Sequence, residues 1–156
     1  AWAGDSMAYL VRAGTEKRLT RPHDLRHALV EAGTITEVEA NDMRGGFQLW
    51  QYLGSLETRY DLVSFDPRPG DRLVLATDGV WALLSEDDLA AVCGAAPDPT
   101  SCAEALIELA LQHNSRDNCT AAVLAFERPA DSAPEPPDPE EPPPVPRRKW
   151  RWQFWT

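Results

Sequence analysis

Nine of the fourteen prolines in this 156-residue chain fall between Pro129 and Pro146. Each proline fixes φ and removes a backbone donor, so such a stretch cannot build a packed core. It reads as a stiff, polyproline-like, disordered tail. The foldable part is thereby confined to residues 1–127, enough for one domain. Residues 128–156 form a Pro-rich linker ending in a basic and aromatic cluster, Arg147-Arg148-Lys149-Trp150-Arg151-Trp152-Gln153-Phe154-Trp155.

Charge is divided along the same boundary. The chain has 25 acids against 15 bases, net −10. Residues 128–156 hold five of each, so residues 1–127 carry the whole deficit. An acidic body is a poor partner for phosphate backbones, which excludes nucleic acid as the default ligand. It favours bound cations or solubility. No run of about 18 apolar residues occurs, so no membrane span is expected. Three cysteines, Cys93, Cys102 and Cys119, include no C-x-x-C pair. They imply neither a zinc site nor a disulfide framework, and a cytoplasmic location is expected. The chain opens on Ala1 and runs straight into a strand-like segment, with no leader pattern. The expectation is a chain that begins partway through a domain.

Residues 7–11 read as a strand, turned by Ala13-Gly14, with a shorter strand over residues 17–20. Leu25, Leu29 and Ala32 share a helical face over residues 26–32, and Gly33 stops it. Thr34 or Thr36 caps a short helix. Residues 47–53 and 62–65 read as strands, and residues 67–71 as a turn. Residues 72–77 form a buried strand leading into Asp78-Gly79. Ser85 opens a helix with an acid-rich first turn. Thr100 or Ser101 caps another, with Ala105, Leu106, Leu109 and Ala110 as its apolar face. Residues 119–126 form the last strand. Hairpin-length gaps favour an α+β fold with antiparallel sheets. Trp2, Trp50 and Trp81 are expected in the core or on a sheet face, and His23, His27 and His113 on the polar surface.

Three aspartates occupy strand ends: Asp5 before the first strand, Asp78 after the buried one and Asp117 before the last. A carboxylate at the end of a buried strand is costly to desolvate without a positive partner. Each aspartate alone also suits a turn or a cap. A hard divalent cation held by oxygens is the other solution, with Mg²⁺ or Mn²⁺ the natural choice.

The motifs containing these aspartates resemble one family in order and spacing. Gly4-Asp5-Ser6-Met7-Ala8-Tyr9 resembles the G-D-S-R-A-Y strand of metal-dependent serine/threonine protein phosphatases, the type 2C (PPM) family. Residues 69–80, containing Thr77-Asp78-Gly79-Val80, are similar to its P-G-D-x-L-L-L-x-[ST]-D-G-L segment. Arg116-Asp117-Asn118-Cys119-Thr120 is similar to its R-D-N-[VC]-T motif. Residues 19–24 resemble L-T-x-D-H-S, with Pro22 and Asp24 departing from it. Residues 30–40 resemble the flap segment that follows.

The resemblance implies the C-terminal part of a catalytic domain over residues 1–127, a partial four-layer α-β-β-α sandwich. It implies hydrolysis of phosphoserine and phosphothreonine on proteins by a water activated between two Mn²⁺ or Mg²⁺ ions, with a third ion in some members. The phosphoprotein substrates would be products of Ser/Thr kinases. Asp78 and Asp117 match metal ligands, and Asp5 matches a ligand of the additional metal. Asn118 and Gly79 match supporting positions. No side chain is a catalytic nucleophile. The family's D-G-x-G-G motif, a further acidic pair and a phosphate-binding arginine are absent before Asp5, and Met7 replaces an arginine. The fragment alone is therefore expected to be inactive, and a non-catalytic regulatory or partner-binding module is the alternative. The tail's P-x-x-P spacing suits a groove-binding partner. Its cation–tryptophan cluster suits an anionic membrane surface.

Overall fold

The computed structural model describes residues 1–43 and 45–127. The proline-rich tail, with its P-x-x-P spacing and its basic, aromatic end, lies outside the described residues. Strands β1 (Met7–Arg12), β2 (Thr15–Arg18), β3 (Arg72–Ala76) and β4 (Ala121–Ala125) make one sheet in the order β2-β1-β3-β4. Every neighbouring pair is antiparallel. A two-residue turn joins β1 to β2, with φ of 49° at Ala13 and 78° at Gly14. Positive φ at both positions matches the right-handed twist of a tight hairpin.

The helices are α1 (Leu25–Glu31), α2 (Glu37–Asp42), α3 (Asp78–Trp81), α4 (Glu86–Ala95) and α5 (Pro99–Gln112). Helices α3, α4 and α5 cover one face of the sheet. Period two sends Met7, Tyr9, Val11, Val74 and Ala76 to that face, where they meet Val80, Leu89 and Leu106 in the core. The other face carries two cross-strand rows, Leu10–Leu73–Leu124 and Ala8–Leu75–Ala122. Leu75 and Leu124 on it remain 42% and 47% exposed. Among the described residues the protein is thus one helical layer on one antiparallel sheet, half of the expected four-layer stack.

Several local expectations hold to the atom. Thr36 and Ser85 each form a capping box, with Glu39 and Asp88 respectively. Others are corrected. Asp98, not Thr100 or Ser101, caps α5, with Pro99 in the first turn. Residues 47–53 make only the isolated bridge Asp24–Leu49, and the segment after it only Trp2–Asp61. Alternation alone does not make a strand when no neighbouring ladder is offered. Phe47, Tyr52 and Leu53 accordingly stay exposed. Trp50 is about half exposed, whereas Trp81 packs against the core. His23 is buried rather than on the surface. It stacks on Trp2 at 5.7 Å, while its Nδ1 accepts from Gly4 N at 3.2 Å.

Candidate metal centre

Register brings the three aspartates to one rim. Met7 pairs with Ala76, and Ala76 with Ala121, so these residues form the last row of the sheet at that end. Asp5 lies just before this row on β1, Asp78 just after it on β3, and Asp117 just before it on β4. Hydrogen bonds stitch the β3 and β4 ends together. Thr77 N donates to Thr120 O at 3.0 Å, and Thr120 N donates to Thr77 Oγ1 at 3.0 Å. Ser115 Oγ donates to Gly79 O at 2.7 Å.

Gly79 permits this closeness. A Cβ on it would sit 2.5 Å from Asn118 O and 3.3 Å from Asp117 Cβ. The first is a backbone atom, so relief would require moving the loop that holds Asp117. Both carboxylates are oriented locally: Asp78 Oδ1 accepts from Gly79 N at 2.9 Å, and Asp117 Oδ1 from Asn118 N at 2.7 Å. Each keeps its other oxygen out of these contacts. Asp78 and Asp117 line one open cleft together with Gly79, Ser115 and Arg116. Asp78 also lines an adjoining, narrower cleft with Asp5, Asp24, Arg26 and Phe47. Trp81 Nε1 donates to Asp5 O at 3.0 Å, pinning the β1 end against α3.

The rim gathers three carboxylates, and although Arg116 and Arg26 line its two clefts, neither is paired with Asp5, Asp78 or Asp117 among the described residues. The ion pairs of the described residues involve Asp24, Glu57, Asp61 and Asp71. None uses Asp5, Asp78 or Asp117. The Asp5 carboxyl is pushed above the usual carboxylate range, first by burial and then by repulsion from Asp78, Asp24 and Asp117. A bound cation would relieve that repulsion. The donors are hard oxygens, which fits Mg²⁺ or Mn²⁺. Among the described residues, however, no three His, Cys, Asp or Glu side chains come close enough to hold an ion unaided. The rim therefore fits part of a metal shell.

Asp24 borders this rim, and sequence reasoning passed it over as a departure from the L-T-x-D-H-S pattern. It is buried at the N-cap of α1. Its Oδ1 accepts from His27 N at 2.8 Å, and its Oδ2 from Arg26 Nη2 at 3.2 Å. Burial raises its pKa, but the hydrogen bonds from His27 and Arg26 outweigh burial and hold it below the ordinary value. The N-cap pattern Asp24-x-x-His27 was the signal available.

No family model matches the chain. A protein phosphatase 2C-type protein of Streptococcus pyogenes is 33% identical over 125 residues, covering 80% of this chain and 51% of the relative. The crystal structure of the Mycobacterium tuberculosis serine/threonine phosphatase PstP superposes with a TM-score of 0.73 at 31% identity. That match covers 80% of this chain and 53% of the solved one.

Over about 80% of its length the chain is similar to type 2C (PPM) phosphatases.

A structure of the PstP catalytic domain with two manganese ions matches at 32% identity and a TM-score of 0.61, over 78% of this chain and 50% of that one. The chain thus spans about half the length of these type 2C relatives. The helices and the antiparallel sheet superpose on these type 2C phosphatase structures. No helix among the described residues is long and apolar enough to cross a membrane.

Proposed function

We propose that residues 1–127 are the C-terminal part of a metal-dependent protein serine/threonine phosphatase domain, with residues 128–156 as an appended linker and tail. The observation that carries this reading is the pair Asp78 and Asp117, drawn to one cleft at one sheet rim with no cationic side chain among the described residues paired to either.

In this reading Asp78 and Asp117 would hold Mn²⁺ or Mg²⁺, and Asp5 would contribute to an additional ion. Two such ions would lower the pKa of a bound water from 15.7 toward about 7, making hydroxide available for attack on phosphorus. The chain's own residues orient and space the ligands. Gly79 N and Asn118 N each hold one carboxylate oxygen, and the other takes no part in these bonds. Gly79 sets the separation of the two loops. Ser115 and Thr77 lock them in register. The remaining ligands and a phosphate-binding cation would come from the half of the fold that relatives possess beyond this span. Substrates in this reading are phosphoserine and phosphothreonine proteins.

The test is hydrolysis of an aryl phosphate and of a phosphothreonine peptide with Mn²⁺, by this chain alone and by a protein joining it to the complementary half of the fold. The complete fold should turn over and the isolated chain should not. A complete fold inactive with Mn²⁺ and Mg²⁺, yet still folded, would favour the non-catalytic module.

A further inference from the structure

The core holds a pair of nucleophiles that the phosphatase chemistry does not use. Cys93 of α4 and Cys102 of α5 face each other, sharing a hydrogen bond with Sγ atoms 3.4 Å apart. Both are buried, at 3% and 0% exposure. A disulfide bond is about 2.05 Å long, so closure needs an approach of about 1.4 Å from the 3.4 Å separation. Small side-chain rotations within two packed helices can supply that.

Their surroundings make the two thiols unequal. Cys102 lies in the opening turns of α5, where the helix dipole favours a thiolate. Arg72 reaches the same spot from β3, donating to Cys93 O at 2.6 Å and to Ala96 O at 2.7 Å. The hydrogen bond with Cys93, and then Arg72, hold the Cys102 thiol below its ordinary range. The same hydrogen bond, and then burial, push Cys93 well up. Cys119 is separate, its Sγ donating to Gly79 O at 3.2 Å at the metal rim.

We propose that Cys93 and Cys102 are a redox-active dithiol that hydrogen peroxide closes to an intrachain disulfide tying α4 to α5. On local opening of the α4–α5 contact, which admits peroxide to the buried pair, Cys102 Sγ attacks one peroxide oxygen, the O–O bond breaks, and a sulfenic acid forms as the first water leaves. Cys93 Sγ then attacks the Cys102 sulfur. The Cys93 proton and the sulfenic hydroxyl leave together as a second water. Two thiols are oxidised and one peroxide is reduced.

The experiment exposes the folded full chain to hydrogen peroxide, then unfolds it, alkylates it with N-ethylmaleimide and weighs it. The untreated chain has three cysteines and should take three adducts. The treated chain should take one, on Cys119, with a linked Cys93–Cys102 peptide in the digest. Dithiothreitol should restore all three. The Cys119→Ser variant should lose both of its adducts on treatment and gain melting temperature, because the crosslink restricts the unfolded chain. The wild-type measurement needs no variant to fold. The proposal is overturned if Cys93 and Cys102 stay alkylatable under peroxide that oxidises a free thiol. It is also overturned if they end as separate sulfinic or sulfonic acids, or if Cys119 is the crosslinked partner.

Discussion

Strand β3 ends on an aspartate on both sides, and the two are handled in opposite ways. Asp71, just before it, is buried and clamped. Arg12 Nε and Nη2 donate to its two oxygens at 2.8 and 2.6 Å, and Arg68 N adds a bond at 2.7 Å. The Arg12 guanidinium holds its carboxyl at about 2. Asp78, just after β3, has no cationic partner among the described residues and shares its rim with two further aspartates. One end spends its aspartate on fastening the sheet. The other gathers like charges at one rim, which raises the Asp5 pKa and suits an ion. A carboxylate's role is therefore set by what its strand's neighbours bring to that end.

The largest test of this contrast is activity. In a complete phosphatase fold, Asp78→Ala and Asp117→Ala should each lower kcat/KM on the order of 100-fold or more, since each removes charge stabilisation at the reacting centre. Circular dichroism should show both variants still folded. Asp71→Asn should do the reverse, lowering the melting temperature while the surviving folded protein keeps its Mn²⁺-dependent turnover. If Asp71→Asn abolished turnover in a protein with unchanged melting temperature, the division of labour would be wrong.

Next is Gly79→Ala. A Cβ placed 2.5 Å from Asn118 O forces the loop to move. Denaturant unfolding should report a loss of about 1–3 kcal/mol, typical of overpacking. Metal affinity should fall in parallel. A neutral outcome would show that the two loops are not held as closely as described.

pH separates the two ends more gently. Asp71 has a depressed pKa, so its contribution is complete above about pH 4 and is lost as pH falls toward 2. Asp71→Asn should flatten that part of the acid-unfolding curve. Asp5 has a raised pKa, so its ionisation opposes folding as pH rises through that value. Asp5→Asn should therefore slightly raise the metal-free melting temperature near neutral pH, with a smaller gain once Mn²⁺ is present.

The parts of the fold that depend on local chemistry were legible in the amino acids. The capping boxes at Thr36 and Ser85, the Ala13-Gly14 hairpin and β3 all state their structure within a few residues. Residues 47–53 and 62–65 were misread because alternation records a face and not a partner. Asp98 was missed as a cap although Pro99, at the start of the helix, marks the residue before it as the cap. For the site, residue patterns alone left three aspartates that could each be turns. The resemblance to type 2C phosphatases singled them out. Their meeting at the row Met7–Ala76–Ala121 is a matter of register, which no local motif states. The facing of Cys93 and Cys102 was hidden for the same reason, since a separation of nine positions says nothing about how two helices pack.

The central claim is that Asp78 and Asp117 share an ion. It is tested most directly by anomalous diffraction at the manganese edge from crystals of the complete domain grown with Mn²⁺. The account predicts a peak within coordination distance of both carboxylates, lost in the Asp78→Asn, Asp117→Asn double variant. Manganese bound elsewhere, with these two side chains turned to separate protein partners, would contradict it.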